Sequence, residues 1–283
     1  MKPIFENIDV AIDSSLKIAT YNHTQNCETS NWHIHPEYEL VYIKNGGGIL
    51  RIDNKTLPYD DGVLLLLGPN IPHADFGNKE HKNNLEVVAQ FRKEFIEEKL
   101  AVFPEFNALK NLVQESKKGL LFESQTKDIV ALEFEKLNSL NSSQRLIHFI
   151  LILDKIMVEG HYETILGHAR LNSYKSIDVD RLESIFEYVN EHYDEKISIA
   201  FLASRQGLTI NSFCRFFKKM TKGSFVQFLN EFRTRKALGF FNVTQLSVSE
   251  VMYKCGYNDP SYFTRQFKKY HGTTPSGYLS TKV

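Results

Sequence analysis

The rhythm of apolar and polar residues changes once along this chain. Up to about residue 90 the apolar residues come in short runs, rich in aromatic and β-branched side chains and alternating in part. WHIHPEYELVYI, ILRID and VLLLL are three such runs. KNGGG and NKTLPYDDG separate them, and their Gly, Asn, Asp and Pro break strands and favour tight turns. Several short strands joined in this way predict a sandwich or small barrel. From about Arg92 the apolar residues recur at i, i+3, i+4 and i+7. FRKEFIEEKL, EFNALKNLVQES, KDIVALEFEKL and SQRLIHFILILDKIMVEG therefore predict amphipathic helices. The last of them, Ser143 to Glu159, carries Leu146, Ile147, Ile150, Leu151, Leu153 and Met157. It reads equally as a helix packed on its own sheet and as one that packs on a second copy of the chain.

Periodicity fades over 161–177, which reads as a linker between residues 1–160 and 178–283. Beyond it VDRLESIFEYVNEHYDEK predicts a strong amphipathic helix, and the rest predicts short capped helices. Ser247 with Glu250 makes a capping box, and Thr209 stands as N-cap before INSFCRFFKKM. Asp259-Pro260 and Thr274-Pro275 each pair a cap with proline at the first helical position.

This C-terminal block repeats at about 50 residues. Ile197, Ser198 and Gly207 match Leu246, Ser247 and Gly256. One inserted residue later, Phe213, Arg215 and Phe217-Lys218-Lys219 match Phe263, Arg265 and Phe267-Lys268-Lys269. Each unit, 197–220 and 246–270, is a short helix, a glycine turn and a second helix with basic residues. That is helix-turn-helix geometry, in which the second helix enters the major groove. The segment between the units predicts a helix of about 18 residues, roughly 27 Å long, able to hold two reading helices near one DNA turn apart. Phe213, Phe217, Phe263 and Phe267 fall at helical spacing and are expected in the core.

Composition sharpens this picture. The 283 residues carry 34 basic and 34 acidic side chains, yet from Lys196 onward there are 14 Lys+Arg against 3 Asp+Glu. So uneven a block is the electrostatic footprint of a polyanion partner. The 42% hydrophobic content excludes a fully disordered chain. No apolar run reaches membrane-spanning length, and no signal peptide is visible at the N-terminus, so a cytoplasmic location is expected. Cys27, Cys214 and Cys255 lack zinc or redox spacing and read as incidental thiols.

Residues 178–283 resemble the DNA-binding domain of the AraC/XylS transcriptional regulators. The resemblance rests on Gly256-Tyr257, Asp259-Pro260-Ser261-Tyr262-Phe263, Arg265, Phe267-Lys268-Lys269, Gly272, Thr274-Pro275 and Tyr278, with Arg233 and Ala237 between the units. Lys222 stands where the first unit of that family usually has glycine, and Met252 where the second usually has alanine. The resemblance implies that Asn211, Ser212 and Arg215 face DNA bases from the first reading helix, and Ser261, Tyr262, Thr264 and Arg265 from the second. Arg can read guanine O6 and N7, and Asn can pair with adenine. Lys219, Lys222, Lys268 and Lys269 are expected on phosphates, which position without specifying.

In the N-terminal part, His33, His35 and Glu39, followed by Gly46, resemble the first motif of the cupin barrels. Gly62, Pro69 and His73 resemble the second, with Asn70 in place of its usual glycine. On one strand His33, His35 and Glu39 would share a face. With His73 they are expected to bind a small polar effector, such as a sugar, and they also form a donor set for a transition metal. The expected fold is thus an α+β sensor, a cupin-like β-barrel with helices, followed by an all-α double helix-turn-helix domain. The implied protein is a transcriptional activator, not an enzyme. Its partners are double-stranded DNA, the effector, a second copy of the chain and the transcription machinery, with no membrane and no cofactor. A cupin metalloenzyme with an appended helical domain is the alternative.

Overall fold

The computed structural model describes residues 3–6, 8, 10, 14–22, 32–74, 76, 83–167, 177–221 and 223–280. Lys222 and Cys27 lie outside them. The strands are β1 (Ile4–Phe5), β2 (Leu16–Asn22), β3 (His33–Ile34), β4 (Tyr38–Ile43), β5 (Gly48–Ile52), β6 (Lys55–Tyr59), β7 (Val63–Leu67), β8 (Leu85–Phe91), β9 (Leu120–Phe122) and β10 (Tyr162–Thr164). The helices are α1 (Asn107–Ser116), α2 (Ser124–Lys136), α3 (Ser142–Glu159), α4 (Ile177–His192), α5 (Ile199–Arg205), α6 (Ile210–Thr221), α7 (Phe225–Val243), α8 (Val248–Lys254), α9 (Pro260–His271) and α10 (Pro275–Ser280). They form two compact units, the first holding these strands with α1–α3 and the second holding α4–α10.

In the first unit a six-stranded antiparallel sheet runs β10-β9-β7-β4-β8-β2. β5 pairs with β6, β1 pairs with β3, and His73 bridges both His33 and Ile52. Two-residue alternation sorts the central strands between two cores. Val41, Ile43, Leu65, Leu67 and Val88 pack with Leu50, Ile52, Ile71 and Phe76. Tyr38, Leu40, Tyr42, Leu64, Leu66, Val87, Ala89 and Phe91 pack on the other face against Val130 and Phe134 of α2 and Phe149, Ile152, Leu153 and Ile156 of α3. Both faces are covered, which explains the unbroken apolar run of β7. The turn before β7 needs glycine. Gly62 sits at φ +77°, and a Cβ there would lie 2.1 Å from the Ile43 carbonyl oxygen.

The first unit departs from the sequence expectation in three places. FRKEFIEEKL is not an α-helix. Phe95–Lys99 forms a π-helical turn followed by a 3-10 turn, and Phe95, Ile96 and Leu100 are all drawn into the core. The start of the expected linker is structured. Residues 162–164 are β10, paired with β9, and Leu166 is 2% exposed. The third departure is α3, whose apolar face is divided. Leu153 is buried in its own core, and Leu146, Ile150 and Met157 pack against that core. Ile147, Leu151 and Val158 remain exposed.

In the second unit the expected caps are present. Ser198 caps α5, and Ser247 with Glu250 makes a capping box on α8. Asp259 caps α9 ahead of Pro260, and the Thr209 hydroxyl accepts from the Ser212 N–H at the start of α6. A second capping box, Ser224 with Gln227, starts the 19-residue connecting helix α7. Each such cap satisfies helix donors that would otherwise be orphaned and stabilises by about 1 kcal/mol. Phe213, Phe217, Phe263 and Phe267 are fully buried. Met252, in place of the small residue, is 2% exposed and packed beside Val251 and Cys255. Among the described residues no helix is long and apolar enough to cross a membrane.

Candidate nucleic-acid interface and sensor pocket

The two helix-turn-helix units carry the same exposure pattern on their second helices. Asn211 and Ser261 are exposed, Ser212 and Tyr262 half-buried, Phe213 and Phe263 buried, and Arg215 and Arg265 exposed. Phe217 and Phe267 are then buried, and Lys219, Lys268 and Lys269 are exposed. Thr264 is half-buried. The phenylalanines face the core, so the basic and polar side chains are left outside. The glycine turns before these helices, Gly207 at φ +65° and Gly256 at φ +73°, adopt the left-handed conformation that glycine tolerates. The Ser212 hydroxyl accepts from the cap hydroxyl of Thr209 at 3.0 Å.

The units differ in how they are tied to α7. The first uses rings: Phe213 and Phe217 meet Phe225 edge to face, and Phe217 meets Phe228 at a tilt. The second uses polar contacts. Asn230 Nδ2 donates to the Tyr262 hydroxyl at 2.8 Å, and the Tyr257 hydroxyl donates to Asn230 Oδ1 at 3.0 Å. Arg233 donates to the carbonyls of Tyr193 and Glu195 and lies over the Tyr257 ring. A Cβ on Gly256 would fall 2.8 Å from the Arg233 guanidinium. The sequence pointed to Arg233 but not to Asn230, whose spacing carries no signal of its own.

In the first unit His33, His35, Glu39 and His73 do converge, but not along one strand. His33 lies in β3 and Glu39 in β4, with a bend at Pro36-Glu37 between them. His35 Nε2 lies 3.1 Å from Glu39 Oε2, and His73 Nε2 lies 3.3 Å from Glu39 Oε1. Nitrogens of His33, His35 and His73 lie within 4.8 Å of one another. Asn70 takes the left-handed conformation, φ +59°, that explains glycine as the usual residue there, and its N–H donates to the His35 carbonyl. Asn is among the few side chains that tolerate this region.

Beside the cluster opens a small pocket lined by His33, Glu39 and His73, with Glu6, Lys17, Tyr21, Glu86 and Gln90. Gln90 Nε2 donates to Glu39 Oε2 at 2.7 Å, and Glu6 lies 3.3 Å from His33 Nε2. Sequence reasoning missed these residues. Glu86 and Gln90 were detectable as polar positions two apart from Val88 on an otherwise apolar strand, whereas Glu6 gave no signal.

Electrostatics here is a contest between burial and pairing. Burial opposes the charge of Glu39, but the charge of His73 and hydrogen bonds from His35 and His73 hold its carboxyl well below the usual range. Burial alone would lower His35, but the hydrogen bond and charge of Glu39, with Glu37 and Glu6, raise it. Glu37 is pushed up to about 7 by burial, and burial also raises Glu6. His35 Nδ1 and Glu37 Oε2 are buried without a protein hydrogen bond, and His73 Nε2 has only its 3.3 Å approach to Glu39 Oε1. His73 Nδ1 is 2.8 Å from the Ile71 carbonyl, which orients Nε2 into the cluster. Such orphaned polar groups are costly unless a ligand engages them.

The chain matches two family profiles: an AraC-like ligand binding domain over residues 18–76 and a helix-turn-helix domain over 202–281. The chain belongs to the AraC family. It is a DNA-binding transcriptional regulator with an N-terminal ligand-sensing domain. The HTH-type transcriptional activator RhaR of Mannheimia succiniciproducens is 26% identical over 255 residues, 88% of this chain and 86% of that protein. The uncharacterized HTH-type transcriptional regulator YdeC of Bacillus subtilis is 30% identical over 98 residues, 35% of this chain and 34% of that one. The solved structure of ToxT from Vibrio cholerae is 16% identical with a TM-score of 0.41, covering 94% of this chain and 98% of that one. The AraC-family assignment gives the helical repeat a role that the metalloenzyme reading does not.

Proposed function

We propose that this AraC-family regulator is a transcriptional activator whose helices α6 and α9 read operator bases in successive major-groove segments. Arg215, Asn211 and Ser212 act from the first helix, and Arg265, Ser261, Thr264 and Tyr262 from the second. Lys219, Lys268 and Lys269 hold phosphates, as does Lys222. The observation that carries the reading is the shared exposure pattern of the two helices on a strongly basic segment. Activation rests on the relative RhaR, named an activator.

A small polar effector, such as a sugar, binds at His33, His35, Glu39 and His73 and shifts the population of DNA-competent molecules. Its hydroxyls would engage the orphaned nitrogens of His35 and His73 and the carboxylate of Glu39. Three imidazoles and one carboxylate also fit a first-row divalent metal, and the same four residues would hold it. Bound there it would act as a Lewis acid toward an oxygen of the effector. Exposed Ile147, Leu151 and Val158 of α3 meet a second copy about a two-fold axis.

The decisive test is selection of bound duplexes from a randomised pool by the full chain, at stepped salt. Enrichment of a bipartite sequence, with affinity falling steeply as salt rises, is the expected result. Failure to bind any duplex at low salt would sink the reading. Titration of sugars, with and without Zn²⁺ or Mn²⁺, against Trp32 fluorescence tests the pocket. The Trp32 side chain is half-buried and adjoins His33.

A further inference from the structure

The second reading helix holds its arginine differently from the first. Arg265 is exposed, and its guanidinium lies 5.3 Å from the centre of the Tyr262 ring, one turn earlier on α9. Among the described residues no carboxylate pairs with it. A guanidinium over an aromatic face is held in place while its outer edge stays free to donate. In the first unit Ser212 occupies the matching position, and no ring among the described residues lies under Arg215.

Tyr262 is itself held from behind. Its hydroxyl receives Asn230 Nδ2 of the connecting helix at 2.8 Å. The orientation of that amide is fixed by its other partners. Asn230 Oδ1 accepts from the Tyr257 hydroxyl at 3.0 Å, and Nδ2 also donates to the Val226 carbonyl at 2.8 Å. A flipped amide would set its oxygen against the Val226 carbonyl, which can only accept, so that contact selects the orientation. Asn230 is 5% exposed. The chain Tyr257–Asn230–Tyr262–Arg265 therefore runs from a buried hydroxyl to an exposed guanidinium.

We propose that Asn230 is a specificity-determining residue that never touches DNA: it positions Arg265 through the Tyr262 ring. The proposal rests on the reading that Arg265 contacts a base. An arginine loses several rotatable bonds' worth of freedom when it makes a bidentate base contact, and a side chain already ordered loses less. The gain falls on the one base pair that Arg265 reads. Loss of the Asn230–Tyr262 bond is expected to lower discrimination at that pair about threefold, the scale of an exposed cation–π contact. Affinity for other sequences and the salt dependence should hold.

The test is selection from a randomised duplex pool by the full chain, with sequencing of the bound fraction. Asn230→Ala, Tyr262→Phe, Arg265→Ala and Asn230→Ala combined with Arg265→Ala are compared with the parent. Tyr262→Phe keeps the ring and removes the hydroxyl that accepts from Asn230; a base contact of Tyr262 itself would relax a different pair from the one that Arg265 reads, so this variant decides the matter if Asn230→Ala does not fold. The expected result is relaxation at one and the same base pair in all three single variants. The combined variant should lose no more there than Arg265→Ala alone, because the two act as one unit. Uniform weakening at all positions, or unchanged preferences, in Tyr262→Phe would overturn the proposal. If Arg265→Ala itself changed no preference, the base-reading assignment would fall first. If Arg265→Ala relaxed one pair and the other two variants did not, the positioning role alone would fall.

Discussion

At the scale of single residues, burial sets the core-forming phenylalanines of α6 and α9 apart from the exposed arginines and lysines proposed to meet DNA. Arg215 and Arg265 are exposed at matching positions of α6 and α9, so each should govern its own base pair, the two about one helical turn apart. Replacing either by alanine is expected to cost about 1–3 kcal/mol on the preferred sequence and to relax only its own position. Lys268→Ala should weaken all duplexes alike and reduce the slope of affinity against salt by about one. Binding titrations at several salt concentrations distinguish the two outcomes. The thiols give a second expectation. Burial pushes Cys255 up to about 12, while Cys214 on α6 is exposed. Iodoacetamide at about pH 8.5 should therefore label Cys214 in the native protein and Cys255 only after unfolding. The folded state keeps the Cys255 proton past the pH at which the unfolded chain releases it. Its contribution to stability is thus full below the ordinary thiol value and declines as pH rises from there toward about 12. A Tm that held level from pH 8 to 11 in the parent would contradict this, with Cys255→Ala as the control.

At the scale of elements, what was legible in the sequence depended on whether a local rule decided the outcome. The caps of α5, α6, α8 and α9 were legible because Ser198, Thr209, Ser247 and Asp259 act on donors three residues away. The buried phenylalanines followed from helical spacing alone. The bend at Pro36-Glu37 was harder, because a run of aromatic and β-branched residues spans it and only the proline marks the break. Strand β10 was hidden because its three residues are all exposed and gain their place from pairing with β9. Asn230 was hidden for the same reason: tertiary partners, not neighbours in sequence, define it. The helix α3 lies between these cases. Its periodicity was plain, but which apolar residues its own core would claim was not. Ile147 is 59% and Val158 74% exposed, and with Leu151 they form the surface available to a second copy. Ile147→Glu with Leu151→Glu should convert a dimer to monomer in sedimentation velocity and leave Tm nearly unchanged, since neither side chain is in the core. A parent protein that sediments as a monomer at high concentration would refute the proposed pairing.

At the scale of the whole molecule, Arg233 carries a consequence for how the DNA-binding unit comes apart. It extends from α7 to the carbonyls of Tyr193 and Glu195 just after α4, and it covers the Tyr257 ring that leads into α9. The slot it occupies exists only because position 256 has no side chain. The guanidinium is a rivet through both halves of the repeat, so neither half can open without breaking bonds that the other needs. The two units should then exchange their amide protons as one cooperative block, with a single opening free energy. Arg233→Lys keeps the charge but cannot reach both carbonyls with a planar fork. In that variant the first and second units should show separate opening energies by native-state hydrogen exchange. The repeat would then behave as two weakly joined modules, and a duplicated element held by one arginine would have lost the device that makes it a single folding unit.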